Sequence, residues 1–156
     1  MKQSPLLQQI QEQMKPGVIT LDGFLGKDTR NLIDIIIEDD GTVRRLGRTH
    51  RAIAQRMQYF RDAGYEGLGE FITVDGHFEV RVDSVRGKLP SPFGGPQLYR
   101  KVNTVVRNLK LNREVFYTDL HIHFVRDHGF YEGKGSPYRL EPVELMEVLE
   151  IPATNV

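Results

Sequence analysis

Residues Asp28 to Leu46 read DTRNLIDIIIEDDGTVRRL, and whether they form one helix or two strands decides the N-terminal half of the fold. As strands, LIDIIIED and TVRRL flank Asp40-Gly41, a dipeptide that suits a two-residue hairpin turn. As a helix, Asp28 is the N-cap, and Leu32, Ile35, Ile36, Val43 and Leu46 recur at spacings of three, four and seven. The helix must hold Gly41 in its interior, which costs about 1 kcal/mol relative to alanine. It gains a stop at Gly47, where a left-handed C-cap residue fits. The apolar spacing favours the helix.

Outward from this stretch the signals are simpler. On the N-terminal side Ser4 caps a short amphipathic helix that Pro5 begins and Pro16-Gly17 ends, with Leu6, Leu7, Ile10 and Met14 on one side. Gly17 to Gly26 is either a short strand or an extended approach. On the C-terminal side Thr49 caps a helix to about Ala63, with Ile53, Met57 and Phe60 on its buried side and Gly64 as its stop. The period then changes to two. FITV and HFEVRV flank Asp75-Gly76, a strong hairpin signal. Gly87 to Pro96, GKLPSPFGGP, reads as a turn-rich connection, and a strand follows through VNTVV. A last helix runs from about Pro142 to Leu149. The expectation is one α+β domain over residues 1–156. Its helical part is 1–64; its sheet-rich part, 65–156, holds a mostly antiparallel sheet to about Val125 and then the C-terminal helix.

Composition narrows the function classes. Lys plus Arg equals Asp plus Glu at 21 each, so no global field draws the chain to nucleic acid or a membrane. There are no cysteines, which excludes disulfides and thiolate metal sites. No apolar run reaches the roughly 20 residues of a spanning helix, and the glutamine-rich start lacks the apolar core of a signal peptide. A soluble, cytoplasmic protein is expected, with no membrane partner.

Phe116 to Leu140, FYTDLHIHFVRDHGFYEGKGSPYRL, concentrates the chemistry. As a strand, it puts Asp119, His121 and His123 on one face, the start of a divalent metal site for zinc or iron, with His128 or Glu132 as a further ligand. As a helix, Thr118 caps and Gly129 stops it, and the same ligands disperse. Gly133 and Gly135 flank Lys134, a loop able to aim N–H groups at an anion while Lys134 and Arg139 supply charge. A glycine-rich turn is more often only a turn, and histidines at an element's edge are usually surface or packing residues.

Asp119 to His123, DLHIH, resembles the His-x-His strand motif of metal-dependent hydrolases of the amidohydrolase and PHP phosphoesterase type. The resemblance implies that His121 and His123 are metal ligands.

Between Gly41 and Arg61 stand six arginines (Arg44, Arg45, Arg48, Arg51, Arg56, Arg61) and no acidic residue. LGRTHRAIAQRM resembles the turn and second-helix start of helix-turn-helix DNA-binding domains. That resemblance implies a recognition helix to follow, or residues 70–84 as a wing; a functional arginine face would contact phosphates through Arg44, Arg45, Arg48 and Arg51. The blander expectation is a solvated face or a contact between subunits of a homo-oligomer. The leading reading is thus a ligand site for a divalent metal or a small anionic compound within 119–139. Its alternative is nucleic-acid binding through 44–61.

Overall fold

The computed structural model describes residues 2–153. It is an α+β fold. In chain order the elements are α1 (Pro5–Gln13), α2 (Leu32–Arg45), α3 (His50–Tyr65), β1 (Ile72–Val74), β2 (Phe78–Pro90), β3 (Leu98–Asn108), β4 (Arg113–Thr118), α4 (Asp119–His128) and α5 (Pro142–Val148). The four strands form one antiparallel meander in the order β1-β2-β3-β4.

The stretch from Asp28 folds as the helix α2, with Asp40 and Gly41 inside it. A side chain at Gly41 would meet nothing closer than the far end of Arg45, so the glycine costs propensity without answering a packing demand. The start lies later than expected. Asn31 occupies the N-cap, while Asp28 turns back to bind the guanidinium of Arg30. Helix α3 begins at the Thr49 cap as the sequence implies, but it runs past Gly64 to Tyr65. Gly64 is required for closeness: a Cβ there would lie 2.4 Å from Val80 Cγ1, where the helix crosses β2. Residues 17–26 contain turns and bends, and no strand.

Two apolar clusters share the interior. In the first, Phe78, Val80 and Val82 of β2, Val102 and Val106 of β3, and Val115 and Tyr117 of β4 project from one sheet face onto α3 and α5. In the second, Leu32 and Ile35 of α2 meet Met14, Phe24, Leu120, Phe124 and Phe130. Each large side chain fully buried in this way contributes about 1.5–3 kcal/mol.

Helix α4 lies between the clusters. Ile122 and Val125 enter the first, and Leu120 and Phe124 enter the second. The alternation of Leu120, Ile122 and Phe124, which imitates a strand, is a helix buried on two sides. The sheet therefore ends at Thr118, and not near Val125 as the sequence suggested.

The second departure lies between β2 and β3. Residues 87–90 belong to β2 and are not part of a loop; they pair with Leu98 to Arg100 beyond an irregularity between Val85 and Lys88. β1 covers β2 only from Phe78 to Val80, and β4 covers β3 only from Asn103 to Asn108. Residues 84–90 and 98–102 thus extend as a two-stranded ribbon. Its tip folds back on α4, where Ser91 and Pro92 are buried and Phe93 packs edge-on against Phe124 and Phe130.

Candidate functional site

The start of α4 is built by a reciprocal cap. The Thr118 hydroxyl accepts the His121 amide, and His121 Nδ1 accepts the Thr118 amide at 3.0 Å. An amide can only donate, so Nδ1 carries no proton and Nε2 keeps the imidazole hydrogen. That hydrogen points to Glu132, with Nε2 to Oε2 at 2.6 Å. The other carboxylate oxygen of Glu132 accepts the Ser136 hydroxyl at 2.7 Å. The His121 and Glu132 side chains are only 5% and 3% exposed.

Glu132 arrives there through an uncommon backbone, φ +71°, in the left-handed region that non-glycine residues resist. The chain reaches it from the left-handed C-cap Gly129, and the backbone is held by Gly133 N–H to Phe24 O at 2.9 Å. A buried carboxylate and an unfavourable φ at one residue are two costs, and such strain gathers at functional sites.

The pair stands at the wall of a cleft of about 470 Å³. Thr118, Leu120 and His121 form one side, and Thr20 to Phe24 another. The ribbon supplies Val85, Leu89, Tyr99, Arg100 and Lys101, and Asn103, Phe116 and Tyr138 complete the lining. Its acidic and basic side chains are of both signs: Glu132 and Asp22, Arg100 and Lys101. A cleft of this size, apolar with a few fixed polar groups, is the usual form of a small-molecule site.

The structure brings His121 and Glu132 together and sends the other expected site residues elsewhere. Because 119–128 is helical, Asp119, His121 and His123 do not share a face. Asp119 pairs with Arg61 at 3.1 Å. His123 contacts Tyr99 Oη, Asp127 and Ser91 Oγ within 2.9 Å, and its ring stacks on Tyr99. Burial lowers the pKa of His123, against the opposing pull of Asp127. His128 stacks face to face on Phe93, at 3.8 Å between ring centroids. Burial, and then neighbouring His123, lowers it too. Among the described residues no cluster of three or more His, Asp or Glu side chains could hold a metal ion. The zinc or iron expectation rested on a strand that does not form.

The glycine loop is also a correction. Three of the amides here already have partners: Gly133 N–H goes to Phe24 O, Lys134 N–H to Asp28, and Ser136 N–H to Gly133 O. A Cβ on Gly133 would fall 2.2 Å from Leu25 O, and one on Gly26 would fall 2.1 Å from Ser136 N. The glycines let two backbone segments touch. Lys134 Nζ reaches Glu38 at 2.9 Å on the surface. Arg139 is buried in a bidentate pair with Asp39 at 2.8 and 2.9 Å, and it caps the carbonyl of Glu132. Neither lines the cleft.

The arginine segment divides similarly. Arg48 binds the carbonyls of Ile151 and Leu46, Arg56 that of Leu149, and Arg61 the carboxylate of Asp119. Arg44 pairs with Asp40, and Arg45 bonds to Thr42. Arg51 is exposed. Helix α3 leads to the sheet, so no recognition helix follows it. His50, in the same segment, links Asp40 to the buried Tyr131 hydroxyl at 2.8 Å on each side, which fastens the chain after α4 to α2.

The cleft residues Thr20 and Lys101 lie outside the stretch that the sequence singles out, and Phe116 and Tyr138 lie within it with no role assigned. The cationic ribbon had a signal there, since no Asp or Glu occurs between Ser84 and Arg113. No family model matches this chain, and neither a curated protein nor a solved structure matches it.

Proposed function

We propose that this protein binds a small anionic compound in the cleft beside His121 and Glu132. The observation that carries the reading is the His121–Glu132–Ser136 chain, buried, fully hydrogen-bonded and held by a left-handed backbone at the cleft wall. A packed core has no need of such a pair, and replacing both partners together with apolar residues of similar volume is often neutral or stabilising. Lys101 and Arg100 contribute positive charge to the same lining and would take a carboxylate or phosphate. Glu132 would take a hydroxyl or amino hydrogen from the same molecule. The ligand class is therefore a compact compound with an anionic group and a hydrogen-bond donor. Leu21, Val85, Phe116 and Tyr138 would cover its apolar part.

Isothermal titration calorimetry with a panel of small hydroxy acids, amino acids and sugar phosphates tests this. We expect at least one saturable ligand, with affinity reduced by Lys101→Gln and by Glu132→Gln in protein that remains folded. A panel that gives no heat, or binding unchanged in both variants, contradicts the reading.

A further inference from the structure

The second surface of interest is the ribbon itself, which adds Arg86 and Lys88, outside the cleft, to Arg100 and Lys101, which also line it. From Ser84 to Arg113 the chain carries Arg86, Lys88, Arg100, Lys101, Arg107, Lys110 and Arg113, with no acidic residue among them. On the sheet proper the positive charges are compensated: Arg107 lies near Glu79 and Glu114, and Arg113 pairs with Glu147. On the ribbon they are not. Among the described residues Arg86, Lys88, Arg100 and Lys101 have no ion-pair partner. Arg86, Lys88 and Arg100 are exposed.

The register sharpens this. Lys88 stands directly opposite Arg100. Like charges at directly opposed positions destabilise a strand pair, and among the described residues no carboxylate pairs with either. Charges on an exposed strand do discourage edge-to-edge aggregation, and Lys88 alone would serve that end. Edge protection does not call for a second cation facing it. A bound anion relieves both.

Among the described residues no strand pairs with either edge of the ribbon, so its backbone N–H groups add donors beside the cations. Its exposed large apolar side chains are Val85 and Leu98, at 59% and 54%. Two separated aliphatic groups do not make the apolar centre of a protein–protein interface. Phosphodiester contacts need charge and N–H donors alone.

We propose that the β2–β3 ribbon is an interface for the phosphate backbone of a nucleic acid, bound without regard to sequence. Each phosphate contact releases about 0.9 counterion on duplex DNA, so four cations give a log–log salt slope near −3.6. Affinity then falls about 150-fold between roughly 50 and 200 mM salt.

Fluorescence anisotropy with short labelled DNA and RNA duplexes tests the interface, using the full chain. The informative variant is Arg86→Gln with Lys88→Gln, because neither residue lines the cleft. We expect it to bind about tenfold or more weakly at roughly 100 mM salt and to lower the slope by about 1.8. Its melting temperature should not fall, since a like-charge contact is removed. No binding of wild-type protein at low salt overturns the proposal. So does unchanged binding by the double variant, or loss of binding instead in Arg45→Gln with Arg51→Gln. Displacement of the duplex by polyglutamate at lower charge concentration than by unlabelled DNA would assign the ribbon to acidic proteins and also overturn it.

Discussion

His121 Nε2 and Glu132 Oε2 lie 2.6 Å apart across eleven residues of chain, and the Thr118 amide on the far side of the ring fixes which nitrogen donates. One side chain therefore does two jobs. It caps α4, and it holds the carboxylate that faces the cleft.

That double role predicts a split between variants. His121→Ala removes half of the reciprocal cap and leaves one oxygen of a buried carboxylate without its donor. We expect a loss of about 2–4 kcal/mol in urea denaturation. Glu132→Gln keeps an acceptor for His121 and should cost well under half as much. Equal losses in the two would show that His121 acts only as a cap.

Arg139 and Lys134 were expected to serve an anion together, and the structure predicts opposite behaviour for them. Arg139 and Asp39 are 7% and 6% exposed, so Arg139→Ala strands a buried carboxylate and should cost about 3–5 kcal/mol. Lys134 and Glu38 are half exposed, and Lys134→Ala should cost less than about 1 kcal/mol. Chemical denaturation of both variants checks this. A small loss for Arg139→Ala would mean that the pair is not buried in solution.

These residues show what the sequence could and could not disclose. The caps Ser4, Thr49 and Thr118 and the stop Gly129 were legible because capping depends on local backbone groups. The hairpin at Asp75-Gly76 was legible for the same reason: both residues take positive φ, and that turn chemistry is local. Helix α4 was ambiguous because its apolar pattern is the sum of two contacts, Leu120 with Phe124 and Ile122 with Val125, and each belongs to a different cluster. Of the site, His121 and Glu132 were picked out, but their pairing was not. It depends on the left-handed turn at Glu132, which no propensity favours. The role of Gly133 was also hidden, since the need for a missing side chain comes from Leu25, far away in sequence.

Gly133 consequently makes a sharp steric test. Its φ is not in the left-handed region, so Gly133→Ala is opposed by space alone, through the 2.2 Å approach to Leu25 O. We expect a loss of at least about 1–3 kcal/mol, the range for overpacking that the surroundings can partly absorb. Gly94→Ala meets no atom within 4 Å and bears only the strain of φ +94°. A thermal melt that ranks Gly94→Ala as the worse variant would contradict the close contact between the two loops.

His123 and His128 set the pH dependence near neutrality. Both are lowered from 6.5, first by burial, so the unfolded chain binds protons that the folded chain refuses. Stability is then complete above pH 6.5 and is lost as pH falls through the lowered folded values. Asp28, held down to about 2 by Arg30, behaves alike only below its usual 3.8, so the window just under pH 6.5 belongs to the histidines. Melting temperature measured against pH should fall across that window, and His128→Gln should flatten part of the slope. A flat profile would show that neither ring is buried as described.

The cleft itself is tested most directly by amide chemical-shift mapping of the labelled protein during titration with a small hydroxy acid or sugar phosphate. The Thr118 amide bonds to His121 Nδ1, so any load on Glu132 is transmitted to it through the ring. We predict saturable shifts that centre on Thr118, His121, Glu132 and Lys101 and disappear in Glu132→Gln. Shifts confined to Gly133, Lys134 and Gly135, or no saturable shift at Thr118 with any compound, would contradict a ligand site at the His121–Glu132 pair.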